Sequence, residues 1–148
     1  MVVIRKAELE EVNKILDIKE DVFGEVEMGS YEKCFGIIEK HGHWFRTAKI
    51  DGILVGFING IPVQSDADTL ELTEMCVSKK HQNEGIGELL IKSFIFIAQQ
   101  QGIQKIELKS GEAHAAFFEK YGFEYNEQGG MELITTKIRC SCSCGENN

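Results

Sequence analysis

No run of about 18 apolar residues occurs in the 148-residue sequence, so no helix is expected to cross a membrane. The opening "MVVIRKAELEEV" has neither a long apolar core nor a small-residue cleavage site, and no signal peptide is expected. Basic residues are also scarce: 16 Lys and Arg against 24 Asp and Glu leave a formal charge of −8. Affinity for phosphate-rich surfaces needs clustered cations, so this balance argues against a nonspecific binder of nucleic acid or anionic membrane. Internal repeats and a composition-shifted linker are missing too. The expectation is therefore one domain over residues 1–138 and a tail over 139–148. A chain of this size buries roughly 70% of its unfolded surface, so an ordinary core suffices without staples. Structural zinc sites favour C-x-x-C spacing, which is absent, so no metal is expected. Three of the five cysteines crowd into "RCSCSCGENN", read as an exposed tail, while Cys34 and Cys76 sit among apolar residues. An odd cysteine count without a leader points to reduced thiols and a cytoplasmic setting.

What is present is a well-marked alternation of elements. "VVIRKA" reads as an edge strand, followed by a helical pattern carrying Leu9, Val12, Ile15, Leu16 and Ile18. Ser30 is placed to N-cap a second helix, "YEKCFGIIEKHG". Asp51-Gly52, between "WFRTAKI" and "ILVGFINGI", suits a type I′ hairpin turn. "TLELTEMCV" alternates as a strand, and a long apolar helix runs from about Ile86 to Gln100 with Glu88, Lys92 and Gln99 on its solvent strip. "IQKIELK" is a strand, "EAHAAFFEKY" a helix stopped at Gly122 in a Schellman-like ending, and two strands flank Gly129-Gly130. The order is β-α-α-β-β-β-α-β-α-β-β, a mixed α/β (α+β) chain of about seven strands and four helices.

Most informative is "SKKHQNEGIGELL", where Gly85 and Gly87 open the long helix. A helix this apolar packs deep, so its N-terminal N–H groups and positive dipole end lie in a partly dry place that favours a phosphate. A P-loop is excluded because Glu88 and Leu89 follow Gly87 where Lys and Ser/Thr are required. A dinucleotide fingerprint is excluded by Leu90 at the third glycine position and by the long gap from Val77 to Gly85.

The pattern V-x-x-x-x-[Q/R]-x-x-G-x-G, present as Val77, Gln82, Gly85 and Gly87, resembles the acyl-CoA site of the GNAT superfamily of N-acetyltransferases. "FFEKYGF", Phe117 to Phe123, resembles that family's second hallmark, and the element order matches its mostly antiparallel, twisted sheet. The resemblance implies an enzyme that moves an acetyl group from acetyl-CoA to a primary amine in a ternary complex, without a metal. It implies a pyrophosphate cradle along Gln82, Asn83, Glu84, Gly85, Ile86, Gly87 and Glu88. Main-chain groups of Met75, Cys76 and Val77 would lie along the pantetheine arm, pairing at Met75 and Val77 like an added strand. Glu84 is a departure, since an acid beside a pyrophosphate repels it unless it turns away. Lys79 and Lys80 are read as exposed, with an assisting role toward the phosphates as the alternative.

N-acetylation needs a neutral amine, and deprotonating a lysine-like amine of pKa near 10.4 at pH 7 costs about 4.6 kcal/mol. A carboxylate on the strand before Val77 is where the family often places its base, and Glu71 and Glu74 both stand there. They point to opposite faces of an unbroken strand, though the fold's usual bulge would change that. Glu71 is favoured for its parity with Met75 and Val77. The family's tyrosine acid is replaced by Phe118, among the acyl-CoA contacts. The first reading is that the thiolate, from a thiol of pKa near 8.5, leaves without an acid, and the second that Tyr121, placed roughly on the same helix face, substitutes as the acid. The competing reading is a module that binds acyl-CoA without chemistry. His114 is read as a polar face residue, and Cys76 as a structural thiol in preference to a nucleophile. By the same resemblance the acceptor meets "FGEVEMGSY" and "NEQGG", where Glu25, Glu27 and Glu127 suit a cationic amine and Phe23, Met28 and Tyr31 offer an apolar floor. A homodimer through sheet edges is compatible with the pattern.

Overall fold

Alternation and helical spacing become structure much as the sequence suggests. The computed structural model describes residues 1–109 and 114–137. Its strands are β1 (Val2–Lys6), β2 (Phe45–Ile50), β3 (Ile53–Pro62), β4 (Thr69–Val77), β5 (Lys105–Leu108), β6 (Glu124–Tyr125) and β7 (Met131–Ile134). The helices are α1 (Val12–Phe23), α2 (Ser30–His41), α3 (Ile86–Gln100) and α4 (Ala115–Glu119). Seven strands hydrogen-bond in the order β1-β2-β3-β4-β5-β7-β6. β4 and β5 run parallel, while β1/β2, β2/β3, β5/β7 and β6/β7 are antiparallel. Among the described residues no helix is long and apolar enough to cross a membrane. The cysteine-rich tail expected over 139–148 lies outside the described residues.

By its internal contacts the chain forms two compact units. The first takes in residues 1–61 and 73–94. Ile15 and Ile18 of α1 and Cys34 and Ile38 of α2 pack with Phe45, Leu54, Phe57 and Cys76 of the strands in one apolar cluster. That packing follows from the helical spacing of the apolar residues in each helix. Asp51 and Gly52 both have positive φ, 50° and 80°, as the type I′ turn between β2 and β3 requires. α2 begins differently from the expectation for Ser30. Gly29, at φ 84°, precedes the helix with no side-chain cap, and Ser30 is already its first helical residue. The left-handed entry at Gly29 redirects the chain and displaces Ser30 from the capping position.

The second unit takes in residues 62–72 and the described residues from 95 onward. Leu70, Ile106, Leu108, Met131 and Leu133 alternate inward along β4, β5 and β7 to make its core. α4 is short and ends as the glycine predicts. Phe123 N–H bonds the Phe118 carbonyl at 3.2 Å, Gly122 N–H bonds that of Glu119 at 3.1 Å, and the Phe118 and Phe123 rings pack at 5.4 Å. Tyr121 therefore lies in the turn after the helix rather than on its face. On α3, the expected solvent strip is only partly observed. Leu89 and Phe96 are exposed beside Lys92, and Gln99 instead donates to the Thr135 carbonyl at 2.9 Å.

Candidate active site

The loop from Ser78 to Gly85 is tied down at both ends. Ser78 N–H bonds the Val55 carbonyl on β3 at 2.9 Å, and Lys79 N–H bonds Asp21 Oδ2 of α1 at 2.8 Å. A single 3-10 turn, Lys79–His81, follows. The Gln82 side chain then folds back to donate to the Val77 carbonyl at 3.0 Å. Asn83 and Gly85 take positive φ, 66° and 85°, on either side of Glu84. Alternating conformations of this kind turn successive N–H groups toward one side, the geometry of an anion-binding nest. A Cβ at Gly85 would meet no protein atom within 4 Å, so the left-handed backbone, rather than crowding, calls for glycine there.

α3 begins at Ile86, which is buried together with Leu90, Ile91 and Phe94. The first bond of the helix runs from Leu89 N–H to the Gly85 carbonyl at 3.1 Å. The N–H groups ahead of it, at Ile86 and Gly87, leave the helix end unpaired within the helix. These donors fit a diphosphate. Glu84, the residue whose charge argued against one, has its carboxylate held 3.2 Å from His81 Nδ1, back over the 3-10 turn. Glu88 pairs with Lys92 at 2.8 Å on the helix surface. Lys79 and Lys80 are exposed and share a surface cleft with Asp17 and Asp21.

β4 supplies the second part. Because Ser78 N–H faces β3, strand alternation turns the main-chain groups of Cys76 toward β3 and those of Met75 and Val77 toward the opposite edge. The register with β5 runs only from Thr69 to Glu71. Met75 and Val77 thus present a strand edge of the kind an extended ligand joins.

The carboxylates differ in their surroundings. Glu71 faces Lys109 Nζ at 3.7 Å and lies opposite Glu107 in the ladder. Glu74 Oε1 accepts a hydrogen bond from Asn59 Nδ2 at 3.1 Å, and its Oε2 lies 2.5 Å from Lys19 Nζ of α1. Thr73 also reaches Asn59, its hydroxyl donating to the side-chain and main-chain carbonyl oxygens. Thr73 and Glu74, consecutive on β4, thus both reach the Asn59 side chain.

Asn59, fully buried in β3, and Lys19 were not singled out from the sequence. The signal for Asn59 was a lone amide inside "ILVGFINGI", where a buried polar group demands a partner. Lys19 carried no comparable signal, because its role depends on how α1 lies against β4.

The remaining candidates are placed plainly. Cys76 is buried, its thiol 4.0 Å from the Ile18 carbonyl, and burial with the Glu74 charge pushes its pKa up to about 12. Burial and Glu74 likewise raise Cys34, to about 11. Neither thiol is a nucleophile near neutral pH. Phe118 is buried between Phe117 and Phe123. Tyr121 packs on Phe117 at 5.2 Å, with Lys120 Nζ 5.9 Å from its ring centre. His114 is exposed.

Known proteins resemble this chain over much of its length. N-acetyltransferase 8 of Rattus norvegicus is 25% identical over 110 residues, 70% of this chain and 50% of that protein. The L-2,4-diaminobutyric acid acetyltransferase of Methylotuvimicrobium alcaliphilum is 28% identical over 96 residues, 63% of this chain and 56% of that protein. The chain spans about half the length of these curated relatives. Among solved structures, the diaminobutyrate acetyltransferase of Paenibacillus lautus, crystallised with L-2,4-diaminobutyric acid and coenzyme A, shares the fold at a TM-score of 0.73 and 16% identity. That likeness covers 94% of this chain and 97% of the other. The profile of the Acetyltransferase (GNAT) family matches residues 10–123, a span that holds the glycine loop, the carboxylates of β4 and the "FFEKYGF" stretch. The chain belongs to the GNAT acetyltransferase family.

Proposed function

We infer that the protein transfers an acetyl group from acetyl-CoA to a primary amine by direct attack, with Glu74 taking the amine proton. The observation that carries this reading is the Glu74 carboxylate. Asn59 fixes one oxygen, and the other already rests against a primary ammonium, that of Lys19. A base must stand within hydrogen-bond reach of the group it deprotonates, and Glu74 already touches an amine at 2.5 Å. Glu71, favoured on parity, has no such amide partner among the described residues and serves as the comparison.

Acetyl-CoA supplies an activated thioester. The chain's own contribution is to bind and orient it. N–H groups from Asn83 to Gly87 hold the diphosphate, the Gln82 N–H being turned to the Lys79 carbonyl at 3.4 Å. Gly85 keeps the loop in the required conformation, and the Met75 and Val77 edge aligns the pantetheine arm. The metal-free route needs no enzyme nucleophile, in keeping with the raised pKa of Cys76. Phe118 donates no proton, so the thiolate leaves unassisted, which a thiol of pKa near 8.5 tolerates at some loss of rate. Tyr121 is then not required as an acid. The acceptor is a small or peptide-borne primary amine, and L-2,4-diaminobutyrate, named in two related proteins, belongs in any panel. A cytosolic setting is part of the same reading, and Cys34 and Cys76 are free thiols as it requires.

The test is thiol release from acetyl-CoA over a panel of primary amines, including L-2,4-diaminobutyrate, spermidine and lysine-containing peptides. Amine-dependent release is expected for at least one class. Acetyl-CoA binding without release over the whole panel would favour the non-catalytic acyl-CoA module instead.

A further inference from the structure

The amine that touches Glu74 belongs to the protein itself. Lys19 sits on the turn of α1 that is clamped to β4, one residue after Ile18, whose carbonyl faces the Cys76 thiol. Ile15 and Ile18 are buried, so the backbone that carries Lys19 is fixed. Its side chain is 26% exposed, partly covered yet open to a reagent. Glu74 is held from the other side by the buried Asn59 amide, itself steadied by Thr73. Lys49, Lys92, Lys105 and Lys109 also pair with carboxylates. Only Lys19, among the described lysines, pairs with an acid that a buried amide orients on the segment of β4 leading straight into the glycine loop.

We propose that Lys19 is an acetyl acceptor of its own chain. The inference rests on the reading of the protein as an acetyl-CoA-dependent transferase with Glu74 as base. In the step, Glu74 takes a proton from the Lys19 ammonium and the freed Nζ pair forms a bond to the thioester carbonyl carbon. The tetrahedral adduct collapses with cleavage of the carbon–sulfur bond. Coenzyme A departs as the thiolate and takes up the second Nζ proton by way of solvent, the proton on Glu74 is released to bulk water, and an Nζ-acetyl amide remains. The product carries no charge, so the ion pair with Glu74 is lost. Acetylation therefore works as a one-time release, freeing the base from its internal partner to meet an external amine.

The experiment incubates the full chain with acetyl-CoA and no added amine, followed by intact mass and peptide mapping. One acetyl group per chain is expected, on Lys19, at a first-order rate independent of protein concentration. Glu74→Gln, with its fold verified by circular dichroism, is expected to slow this about 100-fold or more. Lys19→Arg keeps a cation against Glu74 and is expected to take no acetyl group at that site. Equal labelling of exposed lysines such as Lys80 would overturn the proposal. So would an unchanged Lys19 rate in Glu74→Gln or in the urea-unfolded chain, either of which marks simple chemical acetylation. Thiol release on the amine panel is measured in parallel. Turnover of an external amine with Lys19 left unmodified overturns self-acetylation alone, whereas absence of both signals overturns the transferase reading with it.

Discussion

Glu74→Gln is expected to lower turnover of an amine substrate by about 10²–10⁴-fold while leaving acetyl-CoA affinity unchanged. Glutamine has nearly the same shape, and its carbonyl oxygen can still accept from Asn59 Nδ2 in the place of Oε1. What it cannot do is take a proton. The contacts proposed for acetyl-CoA lie elsewhere, in the loop after Val77 and along the strand edge, so binding is expected to persist when the base is removed. Steady-state kinetics with direct binding of acetyl-CoA separates the two effects. Glu71→Gln is the matched comparison and is expected to stay close to the parent rate, since among the described residues Glu71 pairs with Lys109 at 3.7 Å and lies opposite Glu107 in the ladder. The reverse outcome, loss in Glu71→Gln and none in Glu74→Gln, would return the base to the position that strand parity favoured.

A second large effect concerns stability. Gly130 comes directly before β7, where Met131 stands opposite Leu108 of β5. A Cβ at Gly130 would come within 2.1 Å of the Leu108 carbonyl oxygen, a main-chain atom held in the β5 ladder. The Gly130 N–H also bonds Asn126 Oδ1 at 3.0 Å, and its carbonyl accepts from Asn126 N–H at 2.9 Å, so it cannot swing aside. Gly130→Ala is expected to cost about 3 kcal/mol, the upper end for overpacking. For a chain of this size that lowers Tm by roughly 6–12 °C. The neighbour provides a control: Gly129 has φ 87° but open space around a Cβ. Gly129→Ala then meets only the left-handed penalty of about 1–2 kcal/mol. A melting curve for each variant decides the order, and a smaller loss at Gly130 than at Gly129 would contradict the close approach.

Local chemistry carried most of the fold into the sequence. The Asp51-Gly52 turn, the start of α3 at Ile86 and the ending at Gly122 follow from residue types whose backbone preferences act within a few positions. Ser30 was misplaced because a left-handed glycine before it redirected the chain. Tyr121 left its helix face because the Gly122 ending stops α4 at Glu119. The glycine loop was legible for the same local reason, since permissive residues at the mouth of an apolar helix are costly unless they serve an approaching group. The environment of the carboxylates was not legible. It depends on an amide 15 residues away in another strand and on a lysine of α1. Alternation assigns Glu71 and Glu74 by parity alone and carries no information about these long-range partners.

The proposed acetyl-CoA site centres on the loop that opens α3, and one calorimetric titration tests it. Acetyl-CoA is titrated into the folded chain, with 3′-dephospho-CoA and NAD as comparison ligands. Both coenzyme A forms carry a diphosphate and a pantetheine arm, so both are expected to bind. NAD shares the adenosine diphosphate with them but has no pantetheine arm to lie along Met75 and Val77, so it is expected to give no binding. No heat from acetyl-CoA, or NAD binding as well as acetyl-CoA, would contradict the account.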